Sequence, residues 1–271
     1  MRILLPVDGS VYSRVAIKYL AARRDLLGDA LEVELLNIQD NVPKNLENPV
    51  YLDAIAAYSR DEADKVFREL DPLLEELQLK VAKKIVCGNY GDMIVEEAEK
   101  WKADLIIMGT HGRSGFKSLL LGSVSIRVLA KTVCPVLLLR AETPVVEENQ
   151  RVGLCVDDPA HSLMAARFVA DNIKFYGKNA KVTVISVKTT QLDKSEAVEP
   201  VMNILTEAGV PADSVILKGA ASEEISDYAE EELDMLVMGS HGYGNFKSAV
   251  LGSTTSRVAA NCKQPILIIK V

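Results

Sequence analysis

A chain of 271 residues, 48% apolar and 25% charged, has the make-up of an ordinary globular protein and length for about two domains. Its net charge of −7 excludes a broad basic surface for nucleic acid or anionic lipid. No apolar run approaches the roughly 20 residues that span a bilayer, and the apolar part of the opening MRILLPVDGS is too short for a signal peptide, so a cytoplasmic location is expected.

Short apolar runs alternate with amphipathic stretches along the chain. The first run, 2–7, leads into Asp8 and is followed by a helical pattern over 13–27 carrying Val15, Ala16, Tyr19 and Leu20 at helical spacing. A strand is expected at 31–38. A long charged helix follows at 59–77, which Pro72 is expected to kink or break. Strands at 81–86, 105–108 and 135–140 then enclose helices at 91–101 and 123–131. A polar linker, AETPVVEENQ, occupies 141–150. Beyond it the order recurs, with strands at 151–156, 181–187, 214–217, 235–238 and 265–271 and helices at 162–173, 194–208, 222–232 and 253–261. Runs such as LIIM and VLLL mark strands buried on both faces, as in a parallel sheet with helices on each side. Strand–helix alternation gives right-handed crossovers and a doubly wound α/β fold. The four cysteines, Cys87, Cys134, Cys155 and Cys262, form neither a CxxC pair nor a zinc spacing and read as buried, reduced thiols.

The recurrence is a true internal repeat. Residues 108–139 align without a gap to 238–269, with 15 of 32 positions identical. That separation is close to a domain length and too long for a solenoid. The ends at 3–8 and 152–157 also match, but at an offset of 149, so the first copy carries 19 extra residues, best placed at 40–57. The stretch could form a lid over a site or an extended loop. Two tandem domains are expected, at 1–141 and 150–271.

Each copy carries Gly-x2-Gly-x9-Gly-Ser at the end of its fourth strand: Gly109, Gly112, Gly122 and Ser123, then Gly239, Gly242, Gly252 and Ser253. In doubly wound sheets ligands bind beyond the carboxyl ends of the strands. Glycines let backbone N–H groups approach phosphate oxygens. A helix N-terminus after Gly122 or Gly252 attracts negative charge. Ser123 and Ser253 are placed to cap those helices and to donate to a phosphate. The bland reading is that the glycines only serve turns, but the doubled spacing weighs against it. The pattern is neither a P-loop nor a first-strand GxGxxG. Asp8 and Asp157 end the first strands, either as acceptors for a ribose or base or as caps for the next helix. His111 and His241 lie inside the signatures, to donate to phosphate, to act in acid–base steps, or to fix the loop. Lys117, Lys247, Arg127 and Arg257 are matched between the copies, as phosphate partners or as solvated surface.

These residues resemble the universal stress protein family in its tandem form. Both halves match the family's G-x2-G-x9-G-[ST] motif in full, and PVDGS is similar to its first-strand signature. The resemblance implies two five-stranded parallel sheets of order 3-2-1-4-5 with helices on both faces. In the family's ATP-binding branch an adenine nucleotide lies between the first and fourth strands. Carried over, ATP, ADP or AMP would meet Pro6, Asp8, Ile38 and Met108 through adenosine. Its phosphates would meet Gly109, Gly112, Gly122, Ser123 and Val124, with His111 and Ser125 beside them. The second set is Asp157, Val187, Met238, Gly239, His241, Gly242, Gly252, Ser253 and Thr254. There Cys155 replaces the proline, and Asp158-Pro159 replace Gly-Ser. The resemblance also implies pairing of the last strands, as an intramolecular pseudo-dimer that covers both edges. It leaves open a homodimer of whole chains, and whether Mg²⁺ accompanies the nucleotide.

Three functions fit these residues. The leading one is an adenine-nucleotide-binding stress or signalling protein. The second is a slow ATPase or nucleotidyl transferase using His111, Ser123 and Ser125. The third is a scaffold in which one site is degenerate.

Overall fold

The continuous apolar runs become strands because helices cover both of their faces. A computed structural model describes residues 1–41, 48–112, 121–145, 151–157, 159–188, 195–240 and 251–270. The first half holds β1 (Arg2–Pro6), α1 (Val11–Ala21), a short α2 (Arg24–Leu27), β2 (Glu32–Gln39) and α3 (Pro49–Glu76). It continues with β3 (Ala82–Cys87), α4 (Tyr90–Trp101), β4 (Leu105–Gly109), α5 (Ser123–Lys131) and β5 (Val136–Leu139). The second half holds β6 (Arg151–Cys155), α6 (Pro159–Asp171), a short α7 (Ile173–Tyr176), β7 (Lys181–Lys188) and α8 (Val198–Glu207). It closes with β8 (Ala212–Lys218), α9 (Ala221–Glu232), β9 (Met235–Gly239), α10 (Ser253–Asn261) and β10 (Ile266–Ile269).

All ten strands form one sheet, ordered β3-β2-β1-β4-β5-β10-β9-β6-β7-β8. Among the described residues its pairings are parallel except at the centre. There β5 and β10 run antiparallel, with Leu138 opposite Ile266, Leu137 opposite Leu267 and Val136 opposite Ile268. Every residue of these two strands is buried. The outer strands β3 and β8 are largely exposed and carry Lys83, Lys84 and Lys218, charges that discourage pairing with another chain. One apolar layer, with Ile17, Leu70, Val169 and Leu205, lies under α1, α3, α6 and α8 and runs through both halves. The opposite layer, with Ile94, Val128, Ile225 and Val258, lies under α4, α5, α9 and α10.

Several elements depart from the sequence expectation. The helix expected over 13–27 is interrupted after Ala21, and α2 starts afresh at Arg24. Arg23, between them, turns inward to 1% exposure. Its guanidinium stacks 3.6 Å from the Tyr19 ring and 5.4 Å from Phe175 in the other half, while Nη1 donates to the Tyr19 carbonyl at 2.7 Å. Burial lowers its pKa. The stacking supplies attraction where full hydration is lost. The long helix begins at Pro49, ten residues before its expected start, because the Asn48 side chain accepts from the Val50 amide at 3.0 Å and a proline suits the first helical position. Pro72 does not break α3, whose flanking Leu70, Leu73 and Leu74 are all buried. Residues 49–57 of the extra segment are thus helix, while 42–47 lie outside the described residues. The helix expected over 194–208 begins at Val198 after a 3-10 turn at Ser195–Ala197. The N-caps are Gly122 and Gly252, with extended ψ of 151° and 150°, so Ser123 and Ser253 are first helical residues rather than caps. Cys134 and Cys262 are buried and Cys155 half-buried, but Cys87 is exposed at the end of edge strand β3, so not all four thiols are buried.

Cations tie the halves together beyond the shared strands. Arg140, just after β5, donates to the Cys262 carbonyl at 2.7 Å, to Ala259 at 3.0 Å and to Ala260 at 2.5 Å, all at the C-terminal end of α10. Lys270, just after β10, donates to the Leu129 carbonyl of α5 at 2.6 Å. Each half thus places a positive charge against the negative helix end of the other.

A buried carboxyl pair sits under α4. Glu34 on β2 and Glu97 on α4 are 6% and 5% exposed, and Lys84 reaches Glu97 Oε1 at 2.5 Å. Burial, and then the Glu97 charge, push the Glu34 pKa up. A raised acid pKa means stability that is full below the unfolded-state value of about 4.3 and lost as pH rises through the folded value. Glu34→Gln should therefore raise the melting temperature at pH 8, with the gain vanishing toward pH 4; an equal gain at both pH values would contradict the buried charge. Arg140→Ala should cost about 2 kcal/mol in urea unfolding.

Candidate functional site

β1 and β4 are neighbours in the sheet, and the chain leaves them toward opposite faces, which opens a crevice at their carboxyl ends. The loop after β4 is tied to the frame by backbone bonds. Thr110 N–H donates to the Leu139 carbonyl at 2.8 Å, and Gly122 N–H donates to the Thr110 carbonyl at 2.8 Å. The buried Ser125 hydroxyl lies 3.0 Å from the Gly109 carbonyl and 3.2 Å from that of Thr110. The first turn of α5 is thereby fixed to the end of β4.

The glycines are required by close approach rather than by left-handed backbone. A Cβ on Gly109 would lie 2.5 Å from Tyr12 Cβ and 2.9 Å from the His111 carbonyl oxygen. A Cβ on Gly122 would lie 3.0 Å from the Thr110 carbonyl oxygen, and one on Gly112 would lie 3.0 Å from Asp8 Oδ2.

Around this frame is a cavity of about 420 Å³, a size suited to a small-molecule ligand. Its walls include every first-half residue that the family resemblance implied for the nucleotide, but not Arg127. Pro6, Ile38 and Met108 form an apolar end together with Ile94. Asp8, Gly109, His111, Gly112, Gly122, Ser123, Val124 and Ser125 form a polar end at the start of α5. Sequence reasoning missed Val7, Tyr12, Ser13, Gln39, Tyr90 and Ile94. Tyr90 follows the α4 N-cap Asn89, and its hydroxyl donates to Asp40 Oδ1 at 2.8 Å. A second cavity of about 500 Å³ shares Asp8, Tyr12 and Gly112 and continues to Glu62, Lys65 and Glu69 of α3.

Asp8 is not the cap of α1, whose N-cap is Ser10 without a side-chain cap bond; one Asp8 oxygen instead holds the turn that leads into the helix. Oδ1 accepts from the Ser10 amide at 3.0 Å and from the Ser13 hydroxyl at 2.9 Å, while Oδ2 faces Gly112. His111 Nδ1 lies 3.2 Å from Thr110 Oγ1, and its ring is tilted 38° to that of Tyr12 at 6.0 Å. Arg127 is committed elsewhere: it makes a paired contact with Asp92 at 2.8 and 2.6 Å, joined by Lys131 at 2.8 Å. Arg127 and then Lys131 hold the Asp92 carboxyl well below the usual carboxylate range. Lys117 and Lys247 lie outside the described residues. Among the described residues no cluster of three or more His, Cys, Asp or Glu is arranged to hold a metal.

The second half repeats the frame. Ser240 N–H donates to Ile269 at 2.9 Å and Gly252 N–H to Ser240 at 2.8 Å. The Thr255 hydroxyl donates to Gly239 at 3.0 Å, and the Asp157 amide donates to the Ser162 hydroxyl at 3.3 Å. Val187 lies near the end of β7, Met238 and Gly239 end β9, and Ser253 and Thr254 open α10. His241 and Gly242 lie outside the described residues. Cys155 stands at the Pro6 position, and burial pushes its thiol pKa up.

The model of the universal stress protein family matches residues 1–140 and again 148–270. The chain belongs to this family. A universal stress protein of Methanocaldococcus jannaschii is 31% identical over 140 residues, covering 51% of this chain and 81% of that one. One of Mycolicibacterium smegmatis is 24% identical over 289 residues, covering 99% and 96%. The crystal structure of a universal stress protein from Archaeoglobus fulgidus has the same fold, with a TM-score of 0.76, 23% identity, and 99% and 96% of the two chains covered.

In this universal stress protein Ser125 is the residue on which the loop anchor turns. Ser125→Ala should cost about 1–2 kcal/mol, because it leaves buried carbonyls under-satisfied. Ser125→Thr, which restores the group found at Thr255, should recover most of that loss in the same denaturant titration.

Proposed function

We propose that the chain is a stress-response protein that binds adenine nucleotides, with ATP, ADP or AMP in the first-half cavity. The observation that carries this reading is the polarity of that cavity. Its apolar end, between Ile38, Ile94 and Met108, suits a flat base. Its other end collects Gly109, Gly112 and Gly122 against the first turn of α5, where unpaired amides and the helix dipole favour phosphate. Asp8, whose Oδ2 faces Gly112, suits a ribose hydroxyl as donor. Mg²⁺ could accompany the phosphates from the side of Asp8.

In this reading, 1–141 and 150–271 are two domains of one type, acting in the cytoplasm as an intramolecular pseudo-dimer. The central antiparallel strand pair supports that arrangement. Nucleotide occupancy would then govern partners or further assembly, including a homodimer of whole chains.

Mass spectrometry of the ligand released by denaturing freshly purified protein, quantified per chain, tests the reading. At least one adenine nucleotide per chain, or its uptake by the emptied protein in calorimetry, is expected. Gly109→Val, which forces a side chain against Tyr12, should weaken uptake by at least tenfold. Protein that holds no nucleotide and ignores added ATP, ADP and AMP would overturn the reading.

A further inference from the structure

Two elements wall the apolar end of the first-half cavity: β2 with Ile38, and α4 with Tyr90 and Ile94. Each carries its wall residues on a face that continues to a buried carboxyl. On α4, Tyr90, Ile94 and Glu97 recur at helical spacing and share one side of the helix. On β2, Glu34, Leu36 and Ile38 alternate with residues of the opposite face. Leu36, Ile38 and Ile94 belong to one apolar layer. The seam between α4 and β2 thus has Ile38 and Ile94 at its cavity end, and Glu34 and Glu97 at the other.

The carboxyl end of the seam requires a proton. Glu34 and Glu97 are both buried and hydrogen-bond to one another. An ionised carboxylate only accepts, so this bond exists only while one of the two is protonated. Lys84 of β3 donates to Glu97 Oε1 at 2.5 Å, which assigns the charge to Glu97 and the proton to Glu34. Glu34 Oε1 is buried without a partner, as suits a carboxyl that carries no charge. Burial, and then the Glu97 charge, oppose ionisation of Glu34. The charged groups that face Glu34 are Glu97 and Lys100 of α4 and Lys84 of β3. Lys100 is exposed, so solvent screens it.

Loss of that proton turns a neutral group into a second buried negative charge. Repulsion replaces the carboxyl–carboxyl bond, and Glu34 then needs hydration that the seam denies it. Both effects push α4 away from β2. A helix moves as a rigid element, so displacement at Glu97 reaches Ile94 one turn away and Tyr90 at the helix start.

We propose that the Glu34–Glu97 pair is a proton-operated clasp: with the proton in place α4 closes the apolar end of the cavity and nucleotide binds tightly, and with the proton gone α4 loosens and nucleotide is released. This inference rests on nucleotide binding by the first half and adds its regulation. By linkage, bound nucleotide also makes the proton harder to remove.

Calorimetric titration of the full chain with ATP from about pH 5 to about pH 9, which spans the raised values that buried carboxyls reach, tests it in wild type, Glu34→Gln and Glu97→Gln. Each variant keeps a side chain of the same shape and leaves a single carboxyl at the pair. The ionisation of ATP itself is common to all three proteins and cancels in affinity ratios. Wild-type affinity relative to Glu34→Gln should be level at low pH and fall about fivefold or more as pH rises, while Glu97→Gln runs parallel to Glu34→Gln. Hydrogen exchange of the α4 amides reads the clasp without ligand: the ratio of wild-type to Glu34→Gln exchange rates should rise over the same range. A constant ratio in either measurement, or a Glu97→Gln profile that falls as wild type does, would overturn the inference and leave nucleotide binding standing. A chain that takes up no ATP at any pH would instead overturn the first reading and this one with it.

Discussion

The antiparallel join between β5 and β10 is the constraint on which the rest of the molecule depends. Each five-strand set has an apolar last strand, VLLL or ILII, which would be an adhesive edge if left open. Joining them buries both edges and forces the two sets into one sheet. That in turn brings the cation after each strand to the end of the other half's last helix. Arg140 and Lys270 are not equal in this: Arg140 reaches three carbonyls, and Lys270 reaches one at the cost of partial dehydration, which lowers its pKa. Arg23 adds a third link, since its guanidinium lies between an aromatic ring of each half.

The same join lies apart from the first-half crevice, whose lining includes no residue of β5 or β10. With β5 and β10 occupied by each other, the β1/β4 carboxyl ends of the first half keep their cavity of about 420 Å³. The crevice in the first half is shaped by contacts too close for any side chain at Gly109. Ser125 fixes the first turn of α5 to the end of β4, so a ligand there would meet a frame already in place. Preorganisation of this kind lowers the ordering cost of binding.

Much of this was legible in the sequence because it is local or repeated. The apolar runs gave the strands, and the glycine spacing marked residues that line the first-half crevice. Gln39, Tyr90 and Ile94 were not legible, because they reach the cavity through the pairing of β2 with β3 and the packing of α4, which no spacing reveals. Arg127 looked available to phosphate, but its partner Asp92 lies 35 positions away and is brought close only by contact between α4 and α5. Ser123 looked like a cap because serine favours that position, yet Gly122 takes it, since the backbone must pass close to Thr110 there. The start of α3 carried a local sign, Asn48 before Pro49, that outweighs the apolar period used to place the helix. Pro72 shows the reverse: buried leucines on either side of it hold a helix that local propensity would interrupt.

The central join also imposes an order of events during synthesis. β10 follows β5 by 130 residues in the chain. At about 5–20 residues per second, the first half waits on the order of ten seconds with its most apolar strand bare. Its far edge is guarded by lysines from the outset, but β5 has no guard until its own partner is made. The first half is therefore most vulnerable to pairing with a neighbouring nascent chain in that interval. Fusing two copies into one polypeptide keeps the correct partner at high effective concentration when the interval ends.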